Sequence, residues 1–510
     1  MALANFFDKS ALAASQILQG YDRTEFENRL LTSAIEVTFD GNAVKSGEGI
    51  ATLELTIRIL ARLYPKIVFT ELEPDTADYK HRLIALAQAI NPEIELEAEA
   101  FVATIAVGNT PITRTTPVFY IGSDGWNVRF SPVAPVGSAD SLNPFAAGAA
   151  ACFGAANVFR HVFADQLQNA QLDTAFNLSL VDFEKKNDSG ETSSNDIGDA
   201  ALALPETILV GLGAVGNGAV WALSKIPLLE GTVHLIDPEK IDLSNLQRYI
   251  MALQNDKDRC KTELAADYLK ETTLNIVPHF GDWSSFLADR NNWHMDTVLI
   301  AVDNAPDRIN IQGSLPKYIL NAWTQPTDLG ISRHFDFLKD ACLACLYPPK
   351  SGSKSESVLI AESFGLLQEE VTIREMLYNN AAIDEIWLAK IAAGKSVPID
   401  LLTPYVGRPI REFYHAVFCG GVLIGHESNS QVETPMAFQS ALAGILLASE
   451  LIIKSADIRT EPMVSMTRIN LLKPLSDYLN EAVLKPQDRT CICCDDDFKD
   501  QYYRKYAGDI

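Results

Sequence analysis

Residues 207–261 read TILVGLGAVGNGAVWALSKIPLLEGTVHLIDPEKIDLSNLQRYIMALQNDKDRCK. Ile208, Leu209 and Val210 form a short, branched apolar run of the kind that fills a buried parallel strand. Gly211, Gly213 and Gly216 follow at GxGxxG spacing, then an amphipathic helix, then a second strand over 233–236 that ends on Asp237. Such glycines let the backbone turn tightly and approach a phosphate. The helix start supplies free N–H groups, and an acid closing the next strand can hold a ribose hydroxyl. The stretch therefore predicts a parallel α/β sheet with a nucleotide at its edge.

The glycine loop alone does not separate a nicotinamide or flavin enzyme from one that uses ATP. The residues after it narrow the choice. Asn245 and Arg248 lie in a DLSNLQR run, Lys261 follows, and Asp303 stands in VDN. Hydride transfer has no need of that set, whereas an enzyme handling a triphosphate with a metal does.

In the order GLGAVGN, Asp237, DLSNLQR, Lys261, VDN, the chain resembles the adenylation domain of ubiquitin-activating enzymes and their bacterial ThiF–MoeB-type relatives. The likeness is close over 205–350 and looser toward the C-terminus. It implies a reaction in which the C-terminal glycine of an acyl carrier attacks the α-phosphate of ATP, giving an acyl-adenylate and pyrophosphate. It also implies roles: Asp237 on the ribose, Asn245 and Arg248 facing the phosphates, Lys261 neutralising their charge, and Asp303 anchoring Mg2+. An arginine from a second, inactive half completes the site in such enzymes, and Arg23 in GYDRTEF is the candidate. Each has a plainer reading: a turn-capping acid, a solvated polar turn, a solvated lysine at a helix start, a strand-end turn, a solvated arginine.

Residues 1–183 read as a worn copy of the same fold. Strands are expected over 35–39, 66–70 and 103–107, with helices over 50–65 and 79–90. The segments 143–163 and 434–454 both open a small-residue helix with a proline near its start. The copy lacks DLSNLQR, the lysine and the VDN acid, and an unrelated α/β domain is the alternative. Residues 184–203 read as a polar linker, 204–345 as the active ATP-binding domain, 346–433 as an insertion, and 434–510 as a C-terminal helix and tail closing that domain. The expected fold class is α/β: two pseudo-symmetric doubly wound Rossmann-like halves, one degenerate and one active, with an insertion and a zinc clip. The two halves form a pseudo-dimer within one chain. A single helix over 371–393 is expected in the insertion.

Cys342 and Cys345 form one CxxC and Cys491 and Cys494 a second. Four thiolates in two such pairs suit a closed, structural tetrahedral Zn2+ site; two pairs of ordinary reduced cysteines are the alternative. The resemblance places a transfer cysteine inside the insertion, and Cys419 is the cysteine there. The plainer reading is a buried cysteine in a strand, HAVFCGGVLI.

With Lys and Arg numbering 42 against 66 Asp and Glu, the net charge of −24 argues against nucleic acid or an anionic membrane as partner. The first residues lack the basic and apolar regions of a signal peptide. The apolar run 441–453 contains Ser449 and Glu450 and is short for a span. Eight cysteines without an export signal point to thiols or metal ligands and a cytoplasmic home. The resulting expectation is ATP-dependent activation of a ubiquitin-like protein's C-terminal glycine, followed by thioester transfer to Cys419 and then to a ubiquitin-conjugating-like enzyme. The resemblance extends to large activating enzymes of bacterial antiphage operons. A sulfur-carrier adenylyltransferase, a non-catalytic scaffold partner and a nicotinamide or flavin enzyme are the alternatives.

Overall fold

The computed structural model describes residues 3–186, 201–290, 292–347, 355–419, 433–486 and 491–507. In the first half, helices α1 (Phe7–Ser15) and α2 (Arg23–Thr32) precede β1 (Ala34–Phe39), α3 (Gly47–Leu60), β2 (Lys66–Glu71), α4 (Ala77–Ile90) and β3 (Ala103–Val107). Then come β4 (Val118–Asp124), β5 (Asn127–Ser131), α5 (Pro144–Val162), β6 (Phe176–Ser179) and β7 (Lys185–Lys186). They make one seven-stranded sheet of order β2-β1-β3-β4-β5-β6-β7. The first four strands are parallel and the last three antiparallel.

The second half repeats the plan. β8 (Thr207–Val210), α6 (Ala214–Leu223), β9 (Thr232–Ile236), α7 (Lys261–Leu269), β10 (Asn275–His279), β11 (Thr297–Ile300), α8 (Ala305–Gly313), β12 (Tyr318–Thr324) and β13 (Leu329–His334) follow in order. The insertion supplies α9 (Glu356–Phe364), α10 (Glu370–Tyr378) and α11 (Glu385–Lys395). The chain then returns through α12 (Ala437–Ser455), β14 (Met466–Ile469), β15 (Asn480–Glu481) and α13 (Asp496–Tyr506). The sheet order is β10-β9-β8-β11-β12-β13-β14-β15, again parallel through β12 and antiparallel after it. Setting the extra edge strand β10 aside, the two sheets match strand for strand. In both, a small-residue helix, α5 or α12, sits between the second and third antiparallel-paired strands. The fold class read from the sequence is the one observed.

Small residues let these helices meet. A Cβ on Gly444 of α12 would stand 2.7 Å from the Cα of Gly218 on α6, and one on Gly148 of α5 would strike Trp221 of α6 and Ile445 of α12. The close approach joins both halves in one hydrophobic core, with Trp221, Phe145 and Phe159 wholly buried. Helix α12 outruns the apolar segment 441–453. By length and composition it could cross a membrane, yet 94% of its apolar window is buried in protein.

The insertion departs from expectation. Instead of one helix over 371–393 there are two, because Asn380 adopts φ of 48° after α10 and Asp384 caps α11 through the Trp387 N–H. These helices enclose a separate core around Phe364, Ile391 and Phe413. Of the expected linker, residues 187–200 lie outside the described residues; Leu202–Ala203 at its end pairs with Leu229–Glu230.

Candidate nucleotide site and cysteine cluster

The three glycines of the loop have separate reasons to be glycine. Gly211 has φ of 89°, and a Cβ there would lie 2.8 Å from the Ala301 carbonyl of β11's end. A Cβ on Gly216 would collide with the Gly211 carbonyl, so the third glycine lets α6 close onto the loop. At Gly213, the N-cap of α6, the nearest atom a Cβ would meet is the Tyr249 hydroxyl, 3.4 Å away. This is the division of labour by which a tight turn presents helix N–H groups to a phosphate.

Asp237 is buried at the end of β9. Its Oδ2 accepts from the Leu212 N–H at 2.8 Å and its Oδ1 from the Glu239 N–H at 2.9 Å, which pins the acid to the glycine loop. Burial raises its pKa against the pull of Lys261 and those N–H groups. Lys261 opens α7, is itself buried, pairs with Glu239 and lies 3.7 Å from Asp237 Oδ1. Burial alone would lower its pKa, but Tyr249, Asp237 and Glu239 outweigh it and raise the pKa, so the ammonium stays charged. Its Nζ also stands 5.2 Å from the Tyr249 ring centroid. Lys261 is thus not a solvated lysine at a helix start. Glu239, which the sequence reading did not single out, keeps a largely exposed carboxylate beside it.

The DLSNLQR run is a turn whose residues fix one another. Asp242 accepts from the Ser244 N–H at 2.9 Å while Asn245 Oδ1 accepts from the Asp242 N–H at 2.9 Å. Asn245 therefore shapes the loop through its side chain. Arg248 follows half-buried, its guanidinium 5.6 Å from the Tyr249 ring and 3.5 Å from Gln247 Oε1. Asn217, the last residue of GLGAVGN, ties this turn to the glycine loop. Its Nδ2 donates to the Leu212 and Gly213 carbonyls and its Oδ1 accepts from the Met251 N–H at 3.2 Å. Its place four residues after Gly213 was the available signal.

Asp303 lies exposed just beyond β11, beside the Asn304 side chain at 3.3 Å. Asn304 caps α8 through the Asp307 N–H. Arg308, buried under this strand end, donates to Val302 O, Ala322 O and Asn321 Oδ1. An exposed hard oxygen at the C-terminal end of the sheet suits Mg2+. The other oxygens such an ion needs would come from the nucleotide and water.

The first half holds the DLSNLQR turn and the residues after it from behind. Arg62 donates to Leu246 O, to Ile250 O at 2.9 Å and to Ala252 O at 2.9 Å; Arg58 donates to Ile250 O at 3.0 Å. Both guanidiniums are buried. Burial and the neighbouring Arg58 push Arg62 down to about 9. Sequence reasoning missed both, because arginines in an apolar helix give no cue to carbonyls nearly two hundred residues away. Arg23 opens α2, pairs with Asp8 and lies 5.6 Å over the Phe7 ring. Its partner Asp8 is on α1, which packs against the turn at Leu243–Gln247.

The cysteine expectation needs one correction. The sulfurs gathered within 4.8 Å of one another are those of Cys342, Cys345, Cys491 and Cys493, not Cys494. Cys342 and Cys345 each lie 3.4 Å from Cys491, and Cys345 lies 3.5 Å from Cys493. Cys493 is wholly buried there, while Cys494 is half-buried beside the cap of α13. The CxxC spacing expected Cys494 at the place in the cluster that Cys493 takes. A tetrahedron of Zn–S bonds has S–S edges of roughly 3.8 Å, so the observed spacing fits zinc.

Cys419 ends a helical turn, His415–Cys419, so its backbone is not in the strand that the plainer reading supposed. Its side chain and the two glycines after it lie outside the described residues.

Comparison with known proteins agrees with the loop and turn geometry. The ThiF family model matches residues 198–492, more than half of the chain, and the model described as Prokaryotic E2 family C matches residues 38–164. Protein y4jF of Sinorhizobium fredii (strain NBRC 101917 / NGR234) is 43% identical over 518 residues, covering 100% of this chain and 98% of its own. The tRNA threonylcarbamoyladenosine dehydratase of Haemophilus influenzae is 26% identical over 157 residues, 28% of this chain and 59% of that protein. Crystal structures of E. coli MccB with MccA-N7isoASN and with ATP are each 15% identical, with TM-scores of 0.35 and 0.34. They align with 57% of this chain, which spans 66% of their length. On the match of its second half and the residues that half assembles, the chain belongs to the ThiF family of ATP-dependent adenylating enzymes.

Proposed function

We propose that this enzyme activates the C-terminal glycine of a ubiquitin-like protein. The observation that carries the reading is the convergence of Lys261, Arg248 and the start of α6 on one glycine loop, with Asp303 at the neighbouring strand end. In the proposed step, a carboxylate oxygen of the carrier attacks the α-phosphorus of ATP. The bond to the β-phosphate breaks and pyrophosphate leaves. Lys261 and Arg248 neutralise the charge that builds on the phosphate oxygens, Asp303 anchors Mg2+, and Asp237 with Glu239 takes the ribose. No covalent base is needed, since placement and cation clamping supply most of the catalysis in phosphoryl-group chemistry.

The first half is, on this reading, a degenerate adenylation domain. The shared strand order supports it, and its use of Arg58 and Arg62 to brace the phosphate turn gives it a task. Arg23, held by Asp8 of α1, is on this reading the arginine that the same half contributes to the site. The cysteine cluster holds a structural Zn2+ that ties the tail to the strand end after β13. Cys419 then accepts the acyl group: its thiolate attacks the carbonyl, AMP leaves, and the thioester passes to a conjugating enzyme.

ATP–pyrophosphate exchange dependent on a carrier with a free C-terminal glycine tests the first step. Asp303→Ala is expected to abolish exchange; full exchange in that variant removes Asp303 from the mechanism. Cys419→Ala is expected to keep exchange and lose a thiol-sensitive carrier adduct on non-reducing gels. An adduct that survives that change places the acceptor elsewhere.

A further inference from the structure

The best-placed polar group in the cleft is one that the resemblance did not assign. Tyr249 follows Arg248 in the phosphate turn and is 4% exposed. Its ring is flanked by the Lys261 ammonium at 5.2 Å and the Arg248 guanidinium at 5.6 Å. Its hydroxyl stands over Gly213, the glycine at which the backbone lies open to a phosphate. Among the described residues that hydroxyl makes no hydrogen bond, although tyrosine hydroxyls usually find a partner when buried. Tyr268 donates to Met251 O and Tyr506 to Leu315 O, while the hydroxyls of Tyr21 and Tyr64, buried away from the glycine loop, have no partner.

We propose that Tyr249 is a nucleotide-binding residue whose hydroxyl donates a hydrogen bond to a phosphate oxygen of ATP seated over Gly213. The inference rests on the ATP reading above and adds a contact to it. Burial raises the phenol's pKa against the pull of Lys261 and Arg248, so the group is a donor and not an anion. Lys261 and Arg248 bring charge to this place. The phenol brings direction: one O–H on a ring held rigid by the packing of both cations fixes where a phosphate oxygen sits between them. The ring packs in the core of the second half while its hydroxyl end lies at the glycine loop.

Tyr249→Phe isolates the hydroxyl, because the ring, its burial and its contacts with Lys261 and Arg248 are kept. Calorimetric titration of the full-length protein with ATP–Mg2+ and with adenosine reads the effect. The expected result is ATP affinity weakened about tenfold or more, the loss typical of one hydrogen bond to a charged group, with adenosine affinity and the melting temperature of the free protein unchanged. ATP affinity within about twofold of wild type, well below what such a bond contributes, overturns the inference while the ATP reading stands. Equal weakening for ATP and adenosine also overturns it, since the hydroxyl would then act away from the phosphates. If the wild-type protein binds no ATP, the inference and the ATP reading fall together.

Discussion

Lys261 and Glu48 show how burial gives opposite results for different neighbours. Lys261 is enclosed by Asp237, Glu239 and the Tyr249 ring, so its ammonium stays charged despite burial. It and Arg248 are the preorganised cations of the proposed site. Arg248→Ala is expected to cost at least about 2 kcal/mol of transition-state stabilisation, as loss of one charge-stabilising donor does; exchange rates at saturating ATP measure it. Glu48, at the start of α3, has no cation beside it among the described residues. It is wholly buried and accepts from Ser123, from Ser141 Oγ at 2.6 Å and from the Gly125 N–H at 3.0 Å. Burial nonetheless pushes its carboxyl up from 4.5 to about 7. Between those values the folded state keeps a proton that the unfolded chain has released. Folding stability from this group therefore falls as pH rises through that window, by on the order of 3 kcal/mol, and is flat above it. Urea unfolding of wild type and Glu48→Gln at pH 5 and pH 8 checks this: the variant should lose that part of the pH dependence. At this scale the motif residues were legible because their spacing is local. Tyr249, Asn217 and Glu239 were not, because their roles depend on which segment folds over which.

The turn that carries Arg248 is held at its back through its own carbonyls, which accept from Arg58 of α3 and from Arg62 just after that helix. Removing a guanidinium strands those carbonyls in a buried place. Arg62→Met is expected to destabilise the protein by about 3 kcal/mol and to lower exchange at limiting ATP more than at saturating ATP, because the turn loses its register. Denaturation midpoints and the two exchange rates measure both effects. At the cysteine cluster, Cys493→Ser is expected to release zinc and loosen α13 first, whereas Cys494→Ser should retain the metal. Elemental analysis of the two purified variants decides between them, and the reverse result would restore the CxxC reading. The strands and helices were largely readable, since β1, β3 and α4 declare themselves through their apolar pattern and α5 through its small apolar residues and the proline at its start. The insertion was not, because Asn380 and Asp384 break a pattern that looked continuous in periodicity alone.

On the scale of the whole molecule, the repeat was visible in two small-residue helices and in the strand order, and the sheets carry the same order and directions. What the sequence could not show is that the halves share one core, with α5, α6 and α12 meeting at glycines. That shared core lets the first half brace the Arg248 turn of the second through Arg58 and Arg62. On the proposed reading, the site built on this frame separates ATP from the dinucleotides that a glycine loop also suits. Calorimetric titration of the full-length protein with ATP–Mg2+, NAD and FAD, repeated on Lys261→Ala, puts that separation to the test. Saturable binding of ATP–Mg2+ alone, lost or weakened at least about tenfold (about 1.4 kcal/mol) in Lys261→Ala, is the expected result. Binding of NAD or FAD in place of ATP, or ATP binding indifferent to Lys261, would contradict it.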